Sequence, residues 1–466
     1  MTRKYEVIVV GAGPAGIFAA LELSRYHVEV GLFEQGPPLE QRRCPVLDPP
    51  RPCLRCHPCA ITSGFGGAGA FSDGKLTLSR EIGGNLKDLI PEEMFHRLLQ
   101  EVDQIYLDHG APHRVYGTDR EAIDRIRYEA QRRHLLLIPA RLRHMGTDGG
   151  FKVLQSFAQT LKHQGVDFHF HEAVTDLLVD SEGVRGVRTR RGEYVARFVV
   201  VAPGRGGADW MAQQARRLRI PMWPNPVDLG VRVELPAINM EPLTRVLYEP
   251  KLVYYSRRFE DRVRTFCVNP YGVVVQEKVD DVISVNGFSY THRATDNTNF
   301  ALLVSTRFTA PFNDPIAYGK SIARLANLLS GHILVQRLGD LKKGRRSTEN
   351  RIASNPVHPS LSSATPGDLS FVLPYRYLTN IVEMIEALEG LIPGIDSPYT
   401  LLYGAEVKFY SNRLQVGEGF ETPVPRLYAA GDGAGITRGL IQSSISGLVV
   451  ARHILRRIGV PLSTPA

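Results

Sequence analysis

The hydrophobic positions of this chain fall into two rhythms. Apolar stretches at 7–10, 28–33 and 194–202 predict buried strands of a parallel sheet. Elsewhere apolar residues recur every three or four positions. Ile17, Ala20, Leu21 and Ser24 mark one face of a helix, and Ile441, Ile445, Leu448 and Val449 mark the core face of another. Segment 153–180 reads as helix, strand, strand, and a hairpin is expected around 181–192. Two helices with polar faces are expected within 86–143, and helical patterns return at 316–330 and 379–391. Between 216 and 400, short β-rich runs such as "VDLGVRVEL" and "GVVVQEKVDDVISVNGFS" alternate with turns and predict a mixed sheet.

Chemistry gathers where these elements meet. Strand 7–10 runs straight into Gly11-Ala12-Gly13-Pro14-Ala15-Gly16 and then into a helix. Gly11 permits the tight turn, Gly13 lets a pyrophosphate approach the backbone, and Gly16 lets helix and strand pack closely. The helix start, with Pro14 and Ala15, offers free N–H groups and a positive dipole end to phosphates. Glu34 ends the next strand, where a carboxylate accepts hydrogen bonds from ribose hydroxyls and disfavours a 2′-phosphate. Strand, glycines, helix, strand and acid in this order predict a dinucleotide site.

Two later segments choose the dinucleotide. Strand 194–202 closes on Ala202-Pro203-Gly204, and 174–180 forms a neighbouring strand. This order resembles the middle of flavoproteins with two dinucleotide-binding domains, which implies Val174 beside the adenine and the 202–204 turn closing on the nucleotide. "RLYAAGDGAGITRGLIQSSISGLVVARHI" (426–454) resembles the C-terminal "GD" motif of FAD enzymes. That likeness implies Gly431 and Asp432 at the ribityl chain. It also implies the helix start at Gly439 facing the flavin edge where negative charge gathers on reduction. FAD is therefore expected, held by a discontinuous domain.

A second glycine run, Gly64-Phe65-Gly66-Gly67-Ala68-Gly69, also fits GxGxxG, but no clear strand precedes it. In FAD proteins such a loop wraps the cofactor. Gly66, Gly67, Ala68 and Gly69 are assigned to that task, with Ser72, Asp73 and Lys75 near the ring; Arg42 and Arg43 follow Glu34 closely enough to reach phosphates. Just before the loop stand Cys44, Cys53, Cys56 and Cys59, four of the five cysteines. Their spacing admits an iron–sulfur cluster, zinc, a redox disulfide serving as an electron relay, or plain structural thiols.

Together "GAGPAGIFAALEL", the cysteine loop, "GGAGAFSDGKL", "RTFCVNPYGVVVQE" and "AAGDGAGITRGLIQSSISGLVVAR" resemble the uncharacterised FAD-dependent dehydrogenases of bacteria and archaea. The resemblance covers most of the chain. It implies an α/β fold with a discontinuous, Rossmann-like FAD-binding domain of glutathione-reductase type. Its pieces are 1–85, 145–215 and 401–466, with a helical insertion at 86–144 and a mixed β-sheet and helical substrate domain at 216–400. Some relatives carry Cys-Pro-Gly-Gly where this chain has Asn269-Pro270-Tyr271-Gly272, which leaves Cys267 alone and better read as a core residue.

The substrate end is less explicit. Glu406 and Lys408 lie on "YGAEVKFYSNR" just ahead of the GD segment and are the catalytic candidates, with Arg413 nearby; an ordinary surface strand competes with that reading. Arg345 and Arg346 are candidates for holding an acidic substrate, and His144 and His171 are read as structural. The net charge of +8 favours anionic partners, so a small anionic substrate is expected, with NAD(P)H as a transient donor or an electron-transfer protein as partner. No apolar run is long enough for a membrane span, and the N-terminal apolar run ends in glycines, so a cytoplasmic protein without a membrane partner is expected. Basic runs lack interleaved aromatics, so nucleic acid is not expected. The leading function is an FAD-dependent dehydrogenase or reductase working at flavin N5. A flavin monooxygenase and an RNA-modifying flavoprotein are the alternatives.

Overall fold

The computed structural model describes residues 3–45, 54, 56–279, 281–309, 311–312 and 314–461. Two sheets organise them. The first runs in the order Asp167–His169, Val30–Phe33, Arg3–Val10, Gly192–Val201, Gly183–Thr189, Val174–Asp180, with Leu427–Ala429 also on Gly192–Val201. Its centre is parallel, Val7 opposite both Val30 and Phe198, and Val10 opposite Phe33 and Val201. These β-branched residues are buried because helices cover the sheet. Helix Pro14–Arg25 and helix Leu440–Arg457, from opposite ends of the chain, cross here. A Cβ on Gly447 would stand 2.2 Å from the carbonyl oxygen of Ala15, so only glycine allows that crossing.

The second sheet has eight strands, in the order Thr365–Pro366, Leu334–Arg337, Leu401–Lys408, Val227–Pro236, Asn297–Thr306, Arg262–Asn269, Lys251–Tyr255, Leu135–Ile138. Helices Pro315–Ser330 and Tyr375–Glu389 supply part of its core, where the 316–330 and 379–391 patterns place them. In Val227–Pro236, the residues Val227, Leu229, Val231, Val233 and Leu235 alternate with Asp228, Arg232 and Glu234. Such alternation ordinarily means one dry face and one wet face. Here both faces are buried, so the polar face has to satisfy itself internally.

Two expected boundaries differ from the structure. Segment 86–144 is not a lobe of its own. Helix Glu92–Asp108 lends Phe95, Leu98 and Val102 to the first core, while helix Arg120–Gln131 and strand Leu135–Ile138 join the second. Residues 401–408, expected with the third piece of the nucleotide domain, form an interior strand of the eight-stranded sheet. The charge-bearing pattern "GAEVK" resembles a surface strand, which is why position alone misplaces it.

Candidate functional site

A cavity of about 550 Å³ opens along the carboxyl ends of the first sheet's parallel strands, within the range typical of cofactor sites. Gly11 begins its floor. At φ +103° its hypothetical Cβ would lie 2.2 Å from the Ala202 carbonyl oxygen, so the turn from strand to helix closes only with glycine. Gly13, Pro14 and Ala15 line the cavity at the start of helix Pro14–Arg25, where unpaired amides and the dipole favour an anion. Gly16 does not line it; it packs on Gly11 instead.

Glu34 lines the cavity with its carboxylate already oriented. Oε1 accepts from the amides of Gly36 (2.8 Å) and Gly64 (2.9 Å), and Oε2 from Ala12 (3.0 Å). A carboxylate has about four acceptor sites, so one is left for a ligand hydroxyl. Asp432 is placed similarly at the other end. Thr437 and Ser443 hydroxyls donate to its Oδ1 at 2.8 and 2.9 Å, which leaves Oδ2 for a ligand. Gly67, Ala68, Gly69, Ser72, Asp73, Lys75, Val174, Ala202, Pro203, Gly204, Gly431 and Gly439 also line this cavity.

Two assignments change. Gly66 is spent on holding the loop, its amide donating to the Ala12 carbonyl at 2.8 Å. Arg42 is buried, and its guanidinium donates to the carbonyls of Ala60, Ile61, Phe65 and Gly67 at 2.7–3.0 Å. It fastens the glycine loop from behind and has no donor left for a phosphate. Arg43 lines a different cavity.

A side cavity of about 180 Å³ shares Ala68, Ser72, Asp73, Arg205, Asp432 and Gly439 with the large one. Of the two catalytic candidates, Lys408 lines it and Glu406 does not. Glu406 is fully buried and grips Arg232 with both oxygens, at 2.7 and 2.9 Å, with Lys408 at 3.0 Å. It is a buttress for the cations and not a reacting group. Arg413 pairs loosely with Asp88. Arg345 is bound to Asp340, and neither it nor exposed Arg346 lines the two joined cavities. His171 meets Gln41, and His144 Nε2 lies 2.8 Å from the Tyr248 hydroxyl and 2.9 Å from Ser289 Oγ.

Several residues of this side cavity escaped the sequence. Arg205 follows the Pro203-Gly204 turn and stands 3.8 Å from Glu277. Arg438 stacks on Tyr410 at 3.6 Å and reaches Asn225 Oδ1 at 3.5 Å; among the described residues it has no carboxylate partner. Cys267 also belongs here rather than to the core. Its thiol donates to Asp73 at 3.3 Å, and burial, reinforced by Asp73, pushes it up to about 11, so it is a neutral thiol. Behind it Lys75 is ion-paired to Asp73 at 2.6 Å and Glu249 at 3.2 Å. Burial pushes the Glu249 carboxyl up, but Lys251 and Lys75 outweigh it and hold it at about 2.

Of the four clustered cysteines, Cys44, Cys56 and Cys59 line a third cavity, and Cys53 lies outside the described residues. Among the described residues no group of three or more His, Cys, Asp or Glu is placed to hold a metal. No described helix is long and apolar enough to cross a membrane.

Comparison with known proteins bears on the large cavity. Residues 64–227 match the family model described as an FAD binding domain, and 227–409 match that of the C-terminal domain-like region of FAD-dependent proteins. An uncharacterized protein of Clostridium beijerinckii (strain ATCC 51743 / NCIMB 8052) is 28% identical over 479 residues, spanning 98% of this chain and 82% of its own. The solved structures of glycine oxidase from Geobacillus kaustophilus and L-proline dehydrogenase from P. horikoshii are each 13% identical. Each alignment spans 98% of this chain and 95% of the other, with TM-scores of 0.42 and 0.45.

Proposed function

We propose that this chain, whose residues 64–227 and 227–409 match FAD-binding and FAD-dependent protein family models, is an FAD-dependent oxidoreductase that oxidises or reduces a small carboxylate held in the side cavity. FAD, when bound, supplies the two-electron acceptor or donor. The residues of the large cavity suit it. The amides at Gly13–Ala15 would hold the diphosphate, Glu34 the adenosine ribose and Asp432 the ribityl hydroxyls. The 67–69 loop covers the same cavity from the other side.

The observation that carries the substrate class is Arg438. Its guanidinium lines the side cavity one residue before Gly439, where the two cavities join, and no carboxylate of the described residues neutralises it. Arg438 is half-buried, and a partly desolvated cation without a counter-ion favours an anion in the cavity beside it. Stacking on Tyr410 fixes the guanidinium plane for bidentate contact with a carboxylate. Lys408 and Arg205 add positive charge, partly balanced by Glu277 at 3.8 Å from each and, for Lys408, by Glu406 at 3.0 Å. Asp73 also lines both cavities. Ion-paired to Lys75 at 2.6 Å, it is the carboxylate assigned here to accept a proton from a substrate placed there.

The test is an anaerobic titration of the flavin-loaded protein with small carboxylates, neutral amides of the same skeletons and amines, read by the flavin absorption bands. Carboxylates should perturb or bleach the bands, and Arg438→Met should weaken that response about tenfold or more while retaining FAD, the loss expected for one charge-assisted hydrogen-bonding group. A response to amides or amines equal to that of carboxylates, or an unchanged response in Arg438→Met, defeats the proposal.

A further inference from the structure

The third cavity, of about 320 Å³, shares no lining residue with the cofactor cavity. Cys44, Cys56 and Cys59 line it together with Val274 and Leu361, and Arg43 and Lys278 are also in its wall. It is separated from the flavin site by a single turn of chain. Cys59, Ala60 and Ile61 face this cavity, Ile61 also faces the side cavity, and Thr62 and Ser63 face the cofactor cavity. The turn is tightly made. The amides of Thr62 and Ser63 donate to the Cys59 carbonyl at 3.1 and 2.9 Å, and Arg42 holds the carbonyls of Ala60 and Ile61. On the other side Lys278 donates to the Cys56 carbonyl at 3.0 Å.

Cys56 and Cys59 are both free thiols, spaced as Cys-x-x-Cys, and differ in access: Cys56 is exposed and Cys59 half-buried. That asymmetry suits thiol–disulfide exchange, in which an accessible sulfur attacks first and a sheltered one resolves the adduct. Structural thiols ordinarily sit in the core, whereas these border a cavity that apolar residues and two cations also line. We propose that Cys56 and Cys59 form a thiol–disulfide couple that exchanges with a small disulfide bearing carboxylates, seated in this cavity.

The step balances without the flavin. The Cys56 thiolate attacks one sulfur of the bound disulfide RS–SR, forming a Cys56–S–S–R bond and expelling RS⁻. Cys59 then attacks the Cys56 sulfur, the Cys56–S–S–Cys59 bond forms and the second RS⁻ leaves. The protein pair loses two electrons, the small disulfide gains two, and the two thiol protons end on the two released thiols. Cys53 takes no part in this scheme. The inference stands apart from the carboxylate proposal, because its readout involves neither flavin reduction nor turnover.

The experiment equilibrates the flavin-loaded protein in a series of reduced-to-oxidised glutathione ratios, quenches with an alkylating reagent and maps the cysteines by mass spectrometry. A Cys56–Cys59 cross-linked peptide should appear in one two-electron transition. Cys59→Ser should instead accumulate glutathione on Cys56, and Cys56→Ser should slow exchange at least tenfold, both variants keeping their flavin bands as proof of fold. The proposal is overturned if the two thiols are alkylated independently at every ratio. It is equally overturned if stoichiometric zinc or iron blocks their alkylation until a chelator is added.

Discussion

The cofactor cavity and the side cavity touch, yet they are made in opposite ways. The first is made chiefly of main chain: tight glycine turns, a helix start and two carboxylates tethered by amides and hydroxyls. The second takes its charge from long side chains, Arg205, Lys408, Arg438 and Glu277, set among apolar and small residues and backed by the wholly buried Arg232–Glu406 pair. Backbone geometry tolerates almost no change at its turns. A buried charge network does not tolerate the loss of one partner.

The sharpest way to break the contrast is Gly11→Ala. The added carbon would meet main-chain atoms of Ala202 that cannot swing aside, at a φ that L-residues rarely adopt. The protein should purify colourless, with a flavin-to-protein absorbance ratio near zero. Full yellow colour in this variant would show that the turn is not what closes the cavity.

Arg232→Met tests the other half. Removing one member of this buried pair leaves the Glu406 carboxylate dependent on Lys408 alone, at a cost of about 3–5 kcal/mol. The melting midpoint should drop with flavin still bound at the outset, and adding Glu406→Gln should recover part of the loss. An unchanged midpoint would mean that the charges are solvated and the network is not structural.

A smaller effect is expected from His144, which pairs across strands with Lys75 of the cofactor cavity. Burial drives it down from 6.5 to about 4, against the pull of Asp73. Its folded form is therefore neutral. As pH falls from about 6.5 towards 4 the unfolded chain binds the extra proton first, so stability declines across that window and is fully present above it. Melting curves from pH 7.5 to 4.5 should show this slope, flattened in His144→Asn. A slope identical in the variant would assign the titration to other groups.

The same contrast explains what the sequence could and could not reveal. Gly11, Gly13, Glu34 and Asp432 announce themselves because each needs a particular residue type at a fixed distance from a predicted strand or helix, all within short windows. Arg205, Glu277, Arg438 and Tyr410 come from four separate segments, brought together only by the tertiary fold. The clue that was present is the alternation in "VDLGVRVELP" and "LLYGAEVK", but alternation alone does not say that the polar face is buried. Adjacent strands Val227–Pro236 and Leu401–Lys408 bring Arg232 and Glu406 within bonding distance although far more than a hundred residues of chain separate them. Arg42 misled for a related reason: proximity to the cofactor motif in sequence says nothing of which side of the loop a side chain takes.

That same arginine spends all five of its N–H donors on four carbonyls, two in the turn that bounds the thiol-lined cavity and two in the loop that bounds the flavin-sized one. It works as a rivet through two sheets of material. Lysine would keep the charge but carries three donors on one atom and cannot reach both layers, so a single conservative exchange would loosen both chambers together.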